Sequence, residues 1–281
     1  KNGKINKIKK KNNDFVGAFG MSGIILRAKL NIKKIKSPNL KVSTLILNNL
    51  TEIKKELQKK FDYNYVQVDP YFRKTNFAVS ISANYTKNQL NLFKNINLNP
   101  FKVEQLIFYI SSFFVNYFTW KLFYKFFFII NKNKSYLIDL HNFHYSSKYK
   151  HMVPLICRRG LLDYEILIKN NFEANINKII KFLKKNKLYP IAIIIKRIYG
   201  SKKKFFYQFN DNGFAVAISL DKRKINKRQI LQFENLFKKN RLKINLSKTD
   251  SQFIRAKNIK INDLYLNLYK KMILNKNELS R

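Results

Sequence analysis

Three glycines, Gly17, Gly20 and Gly23, share one short segment, GAFGMSGIILRAKL (residues 17–30), with Ser22 beside the last of them. Glycine allows left-handed backbone and close approach, so such a turn can hold a flat or phosphorylated ligand against main-chain N–H groups. The string precedes an apolar run, whereas the dinucleotide fingerprint follows a strand and opens a helix; an ordinary turn accounts for it equally well. Lys196 stands in the otherwise apolar run Ile191–Ile198. An ammonium there either turns inward to meet a partner or substrate, or alternates outward as a strand lysine does. Asp163 and Glu165, two apart in a strand-like run, fall on one face, as a polar pocket or as a solvated face. His141, His144 and His151 make no metal set of recognisable spacing, and the single Cys157 excludes an internal disulfide.

The elements that must position these groups follow from periodicity. A short strand runs from near Val42 to Asn48, and a helix over residues 50–60 puts Leu50, Ile53 and Leu57 on one side, with Asn49 or Thr51 as cap. Residues 65–69 and 77–83 read as a strand pair around a turn at Pro70. Residues 161–246 read as strand, helix, strand, strand, helix, strand: 161–168, an amphipathic helix marked by Phe172, Ile176, Ile179, Ile180 and Leu183, then 191–198, 213–220, a helix over 225–239, and a last strand. This pattern predicts an α+β layer, an antiparallel sheet covered by helices on one face. No repeat of 20–50 residues stands out.

The 281 residues carry 57 Lys+Arg against 16 Asp+Glu, a formal charge of +41, with 46% hydrophobic residues. A chain of this size buries roughly 75% of its unfolded surface, which argues against disorder. The charge fits a nucleic-acid or anionic-membrane partner, but only 10 of the basic residues are Arg. The abundance of Lys, Asn, Ile, Phe and Tyr is also what AT-rich coding produces on a solvated surface. The N-terminus shows no signal peptide pattern. The apolar stretch 106–130 is interrupted by Asn116, Lys121 and Lys125, and its unbroken part falls short of the ~20 residues needed to span a bilayer. A buried or interfacial aromatic segment is expected there.

The glycine turn, through Gly17, Gly20, Ser22, Gly23 and Ile24, resembles the turn that ends the FAD-binding domain of vanillyl-alcohol-oxidase-type (PCMH-type) flavoproteins. The branch it resembles contains decaprenylphosphoryl-β-D-ribose 2′-oxidase. Residues 116–120 (NYFTW), 143–145 (FHY), 160–165 (GLLDYE), 195–200 (IKRIYG), 206–220 (FYQFNDNGFAVAISL) and 246–251 (LSKTDS) are similar, in the same order, to motifs of that branch. The resemblance spans about residues 15–270 and rests on order and spacing, because each motif is degenerate.

The resemblance implies the C-terminal portion of an FAD-dependent oxidoreductase that oxidises a sugar or polyol hydroxyl by hydride transfer, a lipid-linked ribofuranose being one such substrate. Residues 1–37 would be the end of the FAD-binding domain, 38–246 the substrate or cap domain, and 247–281 a segment returning to the FAD domain, most of which would lie outside these residues. Lys196 and Lys248 take the catalytic positions. Gly17, Gly20, Ser22, Gly23, Ile24 and Asn245 take cofactor-binding ones, Asn245 in place of a tyrosine. His144, Asp163, Glu165 and Asn116 take substrate-binding positions; the family's paired glutamines become Asp163 and Glu165, and its pocket asparagine and cysteine become Ala215 and Ala217. A cytoplasmic protein, peripheral to the membrane through its aromatic segment, is expected, with no metal and no specific nucleic acid. The alternative is a non-enzymatic, basic RNA-binding module from an AT-rich genome.

Overall fold

A computed structural model describes residues 32, 34–73, 77–88, 117–144, 160–200 and 209–245. The chain enters through strand β1 (Asn39–Leu47) and turns into helix α1 (Leu50–Gln58). Asn49 starts α1 by accepting the Glu52 N–H at 2.8 Å, while the Glu52 carboxylate accepts from the Asn48 N–H and from the Asn49 amide. These bonds satisfy donors that a helix start leaves orphaned. Strands β2 (Tyr63–Val68) and β3 (Ala78–Thr86) follow, then helix α2 (Tyr117–Ile130), strand β4 (Ser135–Asp139) and the short helix α3 (Leu140–His144).

The second half repeats this order with β5 (Leu161–Ile168), α4 (Phe172–Lys185), β6 (Ala192–Ile198), β7 (Gly213–Asp221), α5 (Lys227–Lys239) and β8 (Lys243–Ile244). Asn226 and Gln229 form a reciprocal capping box at the start of α5. Predicted and observed bounds differ by a residue or two in this half. In the first half β1 begins three residues before Val42, because its edge pairs with both β3 and β4.

All eight strands join one antiparallel sheet in the order β4-β1-β3-β2-β6-β7-β5-β8. The order reads the same from either edge, β1-β3-β2 being answered by β6-β7-β5, with the central Gln67–Ile194 pair at the pivot. The strands and registers of the described residues therefore form two β-α-β-β-α-β units related by an approximate two-fold through that pair. The sheet follows this symmetry and the second helix of each unit does not. Sequence periodicity missed this repeat because each unit is longer than the 20–50-residue window.

Pleating sends alternate residues to opposite faces. One face carries Val66, Val68, Ile193, Ile195, Leu162, Tyr164, Ile166, Val216, Ile218 and Leu220, buried beneath α1, α4 and α5 in the main core. The expected one-sided helical cover holds for the second half only. In the first half α2 lies on the opposite face, where Tyr124 and Phe128 pack on Leu40, Val42, Val79, Ile81 and Ala83. The Tyr124 hydroxyl donates to the Ile191 carbonyl at 2.6 Å and accepts from the Gln67 amide at 3.0 Å, fixing α2 over β2 and the entry to β6.

Candidate functional site

The face that α2 covers in the first half continues across β6, β7 and β5, where its residues turn polar and small. The register sets Glu165, Ala217, Ile194 and Gln67 in one row, and Asp163, Ser219 and Ala192 in the next. A third row places Leu167, Ala215 and Lys196 side by side. Leu167 and Ala215 are sealed there by Phe209, with Ile198 against them, so that end of the face is apolar. Gly213 opens β7 where an added Cβ would meet the Ile168 carbonyl at 2.7 Å; glycine is what lets β7 lie so close to the end of β5.

Asn245 follows β8 and extends the first row. Its N–H donates to the Glu165 carbonyl at 2.8 Å, and its side-chain amide donates to the Glu165 carboxylate. Asn245 is buried at 6% exposure, so this pair forms a fixed amide-carboxylate unit, not a solvated contact. Asp163 and Glu165 do share a face, as alternation required, and it is the face away from α4 and α5.

Lys196 is exposed, and its Nζ lies 5.9 Å from the Tyr65 ring centroid. It thus alternates outward from the main core, the second of the two orientations open to it. A cation over an aromatic face is held by the ring quadrupole at modest cost in solvation. Helix α3 brings His144 to the same end of the face: its ring sits edge-on to Tyr63 at 4.8 Å and to Phe143 at 5.2 Å. Partial burial, reinforced by the charge of Lys196, pulls the His144 pKa below its ordinary 6.5. The imidazole is therefore neutral at pH 7 and offers both a donor and an acceptor. Next to it the Tyr63 and Tyr85 hydroxyls are 2.7 Å apart.

Lys196, Asp163, Glu165, Asn245 and His144 are thus brought to one side of the sheet, together with Ala215 and Ala217. Gly17, Gly20, Ser22, Gly23, Ile24, Asn116 and Lys248 lie outside the described residues. Sequence reasoning overlooked Tyr65, Gln67 and Ser219. The alternation of YNYVQV was the available signal for the first two, since it puts Tyr63, Tyr65 and Gln67 on one side. The Lys196 cation, two carboxylates, a neutral imidazole and a fixed amide around small residues can bind a hydroxyl-rich ligand and stabilise a negative charge beside Lys196. No family model matches the chain, and no curated protein matches it.

Proposed function

We propose that residues 38–246 form the substrate-side domain of an FAD-dependent oxidoreductase of PCMH type that oxidises a sugar or polyol hydroxyl. The observation that carries this reading is the convergence just described. Positions separated by up to a hundred residues, chosen through the resemblance, occupy one face of one sheet on strands β5, β6 and β7, beside β8 and α3. The residues fit a flavin ring on physical grounds: Ala217 and Ser219 keep the middle of the face low, and Lys196 offers a cation at its edge.

FAD, when bound, supplies the hydride acceptor. The rest belongs to this chain. Lys196 provides a fixed positive charge where negative charge develops during hydride transfer. The Glu165–Asn245 unit and Asp163 orient hydroxyl groups, and neutral His144 accepts a hydrogen bond from the hydroxyl to be oxidised and takes its proton as the hydride leaves the carbon. In this reading Gly17–Gly23 and Lys248 take the cofactor-wall and second-cation roles that the resemblance implies.

The test is flavin analysis of the intact native protein, followed by anaerobic mixing with candidate sugars. FAD should be released on denaturation, and Lys196→Ala should keep it while flavin bleaching slows by about 10²–10³-fold. A native protein without flavin, or bleaching at an unchanged rate in the variant, overturns the reading. Salt-sensitive retention of RNA in place of flavin would favour the RNA-binding alternative.

A further inference from the structure

Helix α2 has a second side. Tyr124 and Phe128 are buried on the sheet, yet the outward arc of the helix is also apolar: Phe118, Leu122, Phe123, Phe126, Ile129 and Ile130 are 40–71% exposed. Monomeric surfaces rarely keep a continuous apolar strip of this kind without a use for it. The charged residues of α2 and of the turn that follows it are all of one sign. Lys121 and Lys125, one turn apart, line one flank of α2, Lys132 and Lys134 follow just beyond its end, and the sequence of α2 contains no acidic residue.

We infer that α2 docks the protein on an anionic phospholipid surface, lying in the plane of the headgroups. At 14 residues it is too short to cross a bilayer, and among the described residues no helix is long and apolar enough to do so. A helix with aromatic and branched side chains facing outward and lysines along its edge has the composition of an interfacial anchor: the rings enter the acyl boundary and the ammonium groups reach back to the phosphates. The lysines select lipid over an apolar protein partner, because two on the flank of α2 and two just past its end complement a negatively charged plane. The excess of 57 basic over 16 acidic residues acts in the same sense at longer range. This inference does not rest on the flavin reading.

Bulk charge alone would draw the protein to anionic vesicles, so the test must report on α2 itself. Trp120 is the chain's one tryptophan, lies on α2 and stacks on Phe123 at 4.9 Å. The full chain is mixed with vesicles of phosphatidylcholine, with or without phosphatidylserine, carrying brominated acyl chains. Trp120 fluorescence should be quenched by the anionic vesicles. Leu122→Ser/Phe126→Ser/Ile129→Ser, which alters only exposed side chains, should lose the quenching and about tenfold or more in vesicle affinity. Lys125→Glu/Lys132→Glu should weaken binding and flatten its salt dependence. Wild-type protein that co-sediments with anionic vesicles without quenching, or equal quenching in the serine variant, overturns the inference. So does a serine variant that turns a dimer into a monomer while vesicle binding is unchanged, which would make this strip a contact between copies.

Discussion

The two halves of the sheet hold matching places with opposite chemistry. Counting outward from Gln67 and Ile194 through the registers, Val79 corresponds to Ala217, Ile46 to Glu165, Ile81 to Ser219 and Thr44 to Asp163. On the first half these positions face α2, and Val79 is completely buried. On the second half the same face is polar. The other face is exchanged in the reverse sense: Ser80, Leu45, Ser82 and Ser43 correspond to Ile218, Tyr164, Leu220 and Leu162, which lie beneath α4 and α5. Each half thus puts its second helix, α2 or α5, on a different face, and the side-chain types follow the helix. What this teaches is that the polar face of β5–β7 is not a weak copy of a core. Among the described residues no helix packs on it as α2 does on the first half, and it carries the exposed Lys196 and the Glu165–Asn245 pair instead.

The comparison breaks first if α5 does not hold its face. Phe233 is fully buried, edge-on to Tyr164 at 5.3 Å and 4.4 Å from the Phe237 ring. Phe233→Ala should cost about 3–5 kcal/mol, read as a lower urea midpoint at unchanged slope. A loss below about 1 kcal/mol would mean that α5 is not the counterpart of α2. A reciprocal exchange sharpens the comparison with a smaller effect. Val79→Ala removes two buried methyl groups at ~0.8 kcal/mol each and should cost nearly 2 kcal/mol. Ala217→Val, at the matching place, should change stability by less than about 1 kcal/mol and should lower the rate of flavin bleaching by substrate, because it raises the middle of the proposed floor. Equal costs for the two changes would show that the second face is packed like the first.

Residues 161–244 were legible because each strand and helix there has a single period and a clean boundary, such as the Asn226 cap and the Gly213 start. The strand alternation of LLDYEILI was enough to put Asp163 and Glu165 together. The first half was harder to read, since β1 buries Asn39 and Leu47 on the face opposite to Leu40, Val42 and Thr44, and α2 is apolar nearly all round. Periodicity says which residues of α2 are apolar; it cannot say which of two sheet faces they will choose. The convergence of Lys196 with Tyr65 and His144 depends on β2 pairing with β6, a contact between the halves that no local pattern encodes. Asn245 meeting Glu165 is likewise a consequence of β8 pairing on β5.

The smallest expected effect concerns the matching ends of β3 and β7, where Ala83 and Asp221 correspond. Near the first, Tyr63 shares a hydrogen bond with Tyr85, and near the second, Asp221 binds Arg223. The Tyr85 hydrogen bond, with burial and the charges of Tyr85 and Asp62 adding to it, raises the Tyr63 pKa from 10.0 to about 12. A raised folded-state value means that this contribution is fully present below pH 10 and is lost as pH rises toward 12. Burial pushes Asp221 upward, but the hydrogen bonds and charge of Arg223 outweigh it and hold the carboxyl below 3.8. A depressed value has the opposite sense: its contribution is present above pH 3.8 and is lost as pH falls below it. The Tyr63 end of the first half therefore loses support at the alkaline edge and the Asp221 end of the second at the acid edge. Asp139 on β4, where burial pushes upward but the hydrogen bonds of Asn142 outweigh it and hold the carboxyl below its ordinary value, acts in the same sense as Asp221. Tyr85→Phe should cost about 1 kcal/mol at neutral pH and bring the Tyr63 ionisation back toward 10, seen by ultraviolet titration, while leaving the acid limb of the stability curve in place. If the acid limb moves as well, the two ends are coupled through the sheet and the halves are not separable in this respect.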